Sequence, residues 1–340
     1  MLWNHGIFGT AVQYRSAPAL ALRLLHASGW DVLRLNRHNL GEGQDSYRAA
    51  EERTLEELKA QRERGYRRLV LAGQSFGGRV ALELASARDL FAVLAMAPGM
   101  ETTVGNTRTQ APTDDRLRRA KAERIAVIFP GEDALFGNVD RASTAGPILA
   151  QLARPYFMVD ERGGLKGHGG GTGGTFALRY GRCLDEFLST PTVAAGRFEC
   201  PAGGGWAVTR QLVPALPPSV RLAPPDALPA DARDLAGLWY GVVGDSLVTW
   251  ALVETSKPGL GMFYAWAASG SSRGGGVYEA VTSGGQMQAT LSNQAVLTAR
   301  ARGARTLALT WTPAPQPSNF GMASARVEPV HGDLILAELR

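Results

Sequence analysis

A serine, a carboxylate and a histidine stand in this chain in an order and setting that suit nucleophilic catalysis. Ser75 lies in Gly73-Gln74-Ser75-Phe76-Gly77-Gly78, between apolar Leu69-Val70-Leu71-Ala72 and Arg79-Val80-Ala81-Leu82-Glu83-Leu84-Ala85. The first run predicts a strand; the second, with Val80, Ala81 and Leu84 at helical spacing, predicts a helix. Glycines two residues either side of the serine permit a sharp strand-to-helix turn that exposes its hydroxyl. A hydroxyl becomes a nucleophile only when a base takes its proton and an acid orients that base. His168, in Gly167-His168-Gly169, is the candidate base, because it follows the last strand of the first region and precedes its final helix. Among the other histidines, His26 falls within a helix and His331 in the second region. His5 reads as a structural residue holding its loop, and His38, in a loop, is the weaker rival. Asp133 is the preferred acid over Glu132 in Pro130-Gly131-Glu132-Asp133, since the loop must leave its strand before a carboxylate can turn toward the histidine. Helix capping is the alternative role for Asp133. A tetrahedral oxyanion needs preorganised backbone donors. The N–H of Phe76 supplies one, and Ile7, in His5-Gly6-Ile7-Phe8-Gly9, is expected to supply the second.

These residues need a scaffold, and up to about residue 190 strand-like runs alternate with amphipathic helices, which predicts an α/β fold with a doubly wound, mostly parallel sheet. Strands are expected at 1–4, 31–35, 68–72, 91–95, 124–129 and 155–159, and helices at 18–28, 46–64 and 175–188. Residues 98–122 leave room only for a short lid, with a helix-like stretch from Thr113 to Glu123, so the pocket should be open and suited to apolar or bulky acyl groups. Met96, Met100 and Phe136 are placed either to line it or to pack in the core. The run 191–232 is punctuated by prolines and reads as a linker. From 233 to 340, short alternating segments separated by turns such as Gly244-Asp245 and Gly284-Gly285 predict an all-β antiparallel barrel of about eight strands, the last at 324–328.

Composition excludes several classes. The net charge of +5 comes from scattered arginines with no basic stripe, so no nucleic-acid partner is expected. No apolar run reaches the roughly 18 residues of a membrane span. Two cysteines, Cys183 and Cys200, are too few for a zinc site; they are either one disulfide or two buried thiols. Gly169, Gly171 and Gly174 satisfy a dinucleotide fingerprint only because glycine crowds this stretch, and no acidic residue closes a following strand. No metal or organic cofactor is expected. The abrupt start within a strand suggests a precursor with a longer N-terminus and an export signal, hence a secreted or periplasmic protein, with a cytoplasmic one as the alternative.

On the motifs His5-Gly6, Gly73-Gln74-Ser75-Phe76-Gly77-Gly78, Asp133 and Gly167-His168, residues 1–190 resemble the α/β-hydrolase superfamily, in particular its dienelactone-hydrolase-like and serine esterase members. The resemblance implies a Ser75, Asp133, His168 triad working through an acyl-enzyme. It departs from dienelactone hydrolases, which generally carry cysteine where this chain has Ser75, and the first two strands of the family are expected to be missing or truncated before Met1. Gly237-Leu238-Trp239 is similar to the G-x-W that opens lipocalin-like barrels. That likeness implies that Trp239 closes the barrel base, while Trp250, Phe263, Tyr264, Trp266 and Trp311 fill its core or rim.

The expected activity is hydrolysis of small-molecule carboxylic esters. Peptidase, amidase, thioesterase or acyltransferase chemistry would use the same triad, and a binding protein for an apolar ligand on a degenerate hydrolase scaffold is the alternative of another class.

Overall fold

The computed structural model describes residues 1–6, 18–36, 45–87, 89–102, 108–136, 140–200, 212–255, 259–268, 273–314 and 328–337. The chain divides into two compact units, Met1–Ala207 and Val208–Arg340.

In the first unit, β1 (Leu2–Asn4), β2 (Leu33–Arg34), β3 (Val70–Gln74), β4 (Ala92–Met96), β7 (Arg124–Ile128), β8 (Pro155–Val159) and β9 (Gly196–Arg197) form one sheet in the order β2-β1-β3-β4-β7-β8-β9. Every neighbouring pair is parallel. Strands β3, β4 and β7 are buried along their whole length, as the apolar runs Val70–Ala72, Ala92–Met96 and Ile125–Ile128 require when helices cover both faces. The helices are α1 (Leu22–Ala27), α2 (Asp45–Glu63), α3 (Phe76–Glu83), α4 (Ala111–Arg119), α5 (Ala142–Gln151) and α6 (Gly174–Ser189). A small ribbon of β5 (Glu101–Thr102) and β6 (Arg108–Thr109) precedes α4. The chain runs from β1 out to β2 and returns to β3 on the other side of β1. The sheet therefore reverses its winding between β1 and β3, where the carboxyl ends of neighbouring strands open a crevice.

The doubly wound parallel sheet agrees with the sequence reading, and the differences are local. Helix α5 was not expected, because Gly146 and Pro147 interrupt its pattern; Pro147 sits inside the helix. Strand β9 extends the sheet past residue 190, and Cys183 on α6 is disulfide-bonded to Cys200 just beyond it, with Cα atoms 5.6 Å apart. Of the two roles open to the cysteines, the bonded one holds.

The second unit is a closed antiparallel barrel of β10 (Leu238–Val243), β11 (Ser246–Val253), β12 (Leu260–Ala267), β13 (Arg273–Ser283), β14 (Gln286–Thr290), β15 (Val296–Gly303), β16 (Thr306–Thr312) and β17 (Val330–Leu336). Each strand pairs with the next, and β17 returns to β10 through Trp239 opposite Leu336. Gly284 and Gly285, both at positive φ, make a two-residue hairpin turn. The eighth strand is not at 324–328. It is formed by Val330–Leu336, where Val330, Leu334 and Leu336 join the core, while 324–327 lie outside the described residues. Inside, Trp239, Trp250, Met287, Leu297, Leu307 and Leu309 pack into one core, and a 3-10 turn over Ala230–Leu235 adds Ala232 and Leu235. Trp239 donates its indole N–H to the Leu235 carbonyl. Part of the run expected as a linker packs on the barrel. Leu216, Val220 and Leu222 cover the outward residues Ala251, Val253, Phe263 and Ala265, and Leu222 bridges to Val253.

Candidate active site

The site is built at the carboxyl ends of the strands beside the winding reversal. Strand β3 ends in Gln74, and Ser75 turns the chain directly into α3 with φ 54° and ψ −116°. A non-glycine residue held there carries roughly 1–3 kcal/mol of strain, which the surroundings must maintain. They do so with four hydrogen bonds. The Ser75 N–H donates to the Met96 carbonyl at the end of β4, and the Ser75 carbonyl accepts from Arg79 and Gly99 N–H groups at 2.9 and 2.8 Å. The fourth is indirect: Gln74 Nε2 donates to the His168 carbonyl at 3.3 Å, tying the residue before the serine to the histidine loop. The flanking glycines are needed for close approach. A Cβ on Gly73 would run into the Gly77 backbone, and one on Gly77 would run into the Asn4 carbonyl of β1.

The acid and histidine come from the loops after β7 and β8. Glu132 adopts φ 52° and sends its side chain outward to Lys166, 2.6 Å away, with both side chains largely exposed. That turn leaves the next residue, Asp133, facing inward and buried. His168 Nδ1 lies 3.0 Å from Asp133 Oδ2, with the two side chains 20% and 6% exposed. A ring nitrogen against a carboxylate carries the proton, so in the neutral ring Nε2 bears the lone pair. Nε2 is itself buried and, among the described residues, has no hydrogen-bond partner. The Phe136 ring meets the His168 ring edge-on at 4.8 Å and fixes its plane from the other side. Asp133 precedes a 3-10 turn over Ala134–Phe136. Its side chain does not cap that turn: one oxygen faces His168, and the other is without a hydrogen-bond partner among the described residues.

The two loops are held to each other by backbone bonds, Gly131 N–H to the Leu165 carbonyl and Gly167 N–H to the Gly131 carbonyl, both 2.8 Å. Phe76 opens α3, so its N–H belongs to the helix end whose amides are not used within the helix. Its ring stacks on Tyr47 of α2 at 4.2 Å.

The other sequence candidates sort clearly. His5 is buried, and its Nδ1–H donates to the Gly6 carbonyl at 2.7 Å, in keeping with a loop-holding part. His26, on α1, contacts the Trp30 carbonyl beyond the helix, and His331 contacts Thr310 on the barrel. Ile7 and His38 lie outside the described residues. Met96, Met100 and Phe136 are all buried, and of these Phe136 borders the histidine. Two residues at the site escaped the sequence reading. Gln74 could have been noticed as the polar side chain inside the serine motif. Arg141, described below, carries no motif at all. Among the described residues, no cluster of His, Cys, Asp and Glu has the makings of a metal site, and no helix is long and apolar enough to cross a membrane.

Comparison with known proteins gives a family match and distant likenesses among solved structures. Residues 2–167 match the model of the alpha/beta hydrolase family. A solved structure from Xanthomonas campestris pv. campestris, described as belonging to the alpha/beta superfamily of hydrolases, is 23% identical, with a TM-score of 0.37. The alignment covers 56% of this chain and 97% of that one. No curated protein matches the chain.

Proposed function

Since residues 2–167 belong to the α/β-hydrolase family, we propose that the protein is a serine hydrolase that cleaves carboxylic esters of small molecules. Ser75 is the nucleophile and His168 the general base and then acid. Asp133 orients the imidazole and balances its charge, and the Phe76 and Ile7 amides receive the oxyanion. The observation that carries this reading is the Asp133–His168 pair, whose 3.0 Å contact directs the opposite ring nitrogen away from the carboxylate with no other partner among the described residues.

In the first half-reaction His168 Nε2 takes the Ser75 proton as Oγ bonds to the ester carbonyl carbon. The tetrahedral oxyanion collapses as the imidazolium returns that proton to the leaving alcohol. Water then repeats the sequence on the acyl-enzyme, and the acid product leaves. The strained Ser75 turn favours this chemistry by holding the hydroxyl at the end of α3, where the helix dipole and first amides stabilise developing negative charge.

A panel of nitrophenyl esters of rising acyl length tests the reading. Wild-type protein should hydrolyse at least the short members, and Ser75→Ala should lose several orders of magnitude in kcat. Equal hydrolysis by wild type and Ser75→Ala would remove Ser75 from the chemistry.

A further inference from the structure

One charged side chain near the site is almost wholly buried and has no part in the scheme above. Arg141, the residue that leads into α5, is 3% exposed. Its Nε donates to Gln110 Oε1 at 2.7 Å and its Nη2 to the Pro98 carbonyl at 2.8 Å. The guanidinium lies over the Phe129 and Phe136 rings, 4.9 and 5.1 Å from their centroids. Nη1 is buried with no hydrogen-bond partner among the described residues.

Two of these contacts lead to the candidate triad by one further step. Pro98 is followed by Gly99, whose N–H holds the Ser75 carbonyl. Phe136 is the ring set edge-on to His168. Gln110 stands at the start of α4 and also donates to Asp114, so the short segment between β4 and β7 is drawn into the same knot. Burying a guanidinium is costly, and burial pulls its pKa down to about 10 against the opposing fields of Asp133, Glu161 and Asp114. The tie between these segments is thus made by a buried charged group, on which the field of Asp133 acts.

We propose that Arg141 is a positioning residue for the hydrolase reaction: its planar fork ties the Pro98–Gly99 segment, which holds the Ser75 carbonyl, to Gln110, and its face supports the Phe136 ring that sets the plane of His168. The proposal rests on the serine-hydrolase reading for its kinetic consequences but not for its structural one. Arg141 is buried, hydrogen-bonded to the segment after β4 and in ring contact with the loop after β7.

The test uses the full chain and two substitutions. Arg141→Met removes the charge and the fork; Arg141→Lys keeps the charge and loses the two-armed geometry. Two quantities are read: the rate at which a fluorophosphonate labels Ser75, and the NMR chemical shifts of the His168 ring. Arg141→Lys should slow labelling about tenfold or more, with KM for a nitrophenyl ester nearly unchanged and kcat reduced, and should move the His168 ring signals, because the Phe136 ring set against that imidazole loses its support. Arg141→Met should slow labelling at least as much. Wild-type labelling in Arg141→Lys, or unmoved His168 ring signals, would overturn the assignment. If Arg141→Met does not fold, the Arg141→Lys arm still decides. If wild-type Ser75 is not labelled at all, the hydrolase reading fails by itself, and the NMR arm still judges whether Arg141 positions the histidine ring.

Discussion

Replacing Asp133 by asparagine changes one oxygen to an amide and tests the geometry of the site at its most informative contact. The wild-type pair places Asp133 Oδ2 3.0 Å from His168 Nδ1, with the carboxylate buried. A charge-assisted hydrogen bond of this kind contributes about 1.5–3 kcal/mol. Asparagine loses the charge that stabilises the imidazolium of the transition state. Its amide can also donate to Nδ1, which moves the ring proton to Nε2 and leaves no lone pair to accept from Ser75. The combined loss is about 4–5.5 kcal/mol, or roughly 10³–10⁴ in kcat. KM should change little, because Asp133 is not expected to touch substrate. The assay is steady-state nitrophenyl ester hydrolysis, with Glu132→Gln in parallel. Glu132 sits in an exposed ion pair with Lys166, so that variant should stay within about twofold of wild type. An Asp133→Asn enzyme retaining more than about a tenth of wild-type kcat, or a Glu132→Gln enzyme that loses more than Asp133→Asn, would refute the assignment of the acid.

Other outcomes follow from packing and titration. The Cys183–Cys200 bond closes a loop with a sequence separation of 17, so Cys183→Ser should cost the first unit about 3 kcal/mol, visible as a lower denaturant midpoint that reductant reproduces in the wild type. Gly77→Ala drives a methyl group into the Asn4 carbonyl, and calorimetry should show the first unit strongly destabilised while the barrel transition stays put. In the barrel, burial and the neighbouring Tyr278 push the Tyr264 phenol up to about 12. The raised folded value means that its stabilisation is intact below the unfolded value near 10 and is lost as pH rises toward 12. The loss is about 3 kcal/mol, and in Tyr264→Phe the alkaline decline in barrel stability should be smaller by that amount.

The sequence revealed the parts of this molecule whose physics is local. The β3–Ser75–α3 turn was legible because an apolar strand, two close-packing glycines and a helical pattern lie together within some 15 residues. The parallel sheet was legible because its central strands are unbroken apolar runs. The barrel followed from regular alternation between turn residues, although its last strand was misplaced: the proline-rich stretch before Val330 obscured where alternation resumes. Helix α5 was not recognised; Gly146-Pro147 weakens its helical pattern, although the helix continues through both residues. Asp133 was preferred to Glu132 on loop length alone, and the positive φ that turns Glu132 outward is a backbone property with no signature in the residue type. Arg141 was invisible for a related reason. Its importance lies in Pro98, Gln110 and Phe136, three residues that become its neighbours only when the sheet has formed.

The central claim is that Ser75 is an activated nucleophile, and covalent labelling measures that directly. Folded wild-type protein treated with a fluorophosphonate at neutral pH should gain one adduct, located by peptide mass spectrometry on Ser75. The Ser75→Ala chain should gain none, and Asp133→Asn should react about 10³-fold more slowly. Absence of an adduct on Ser75 in folded wild-type protein, or labelling that proceeds unchanged in Asp133→Asn, would contradict the account.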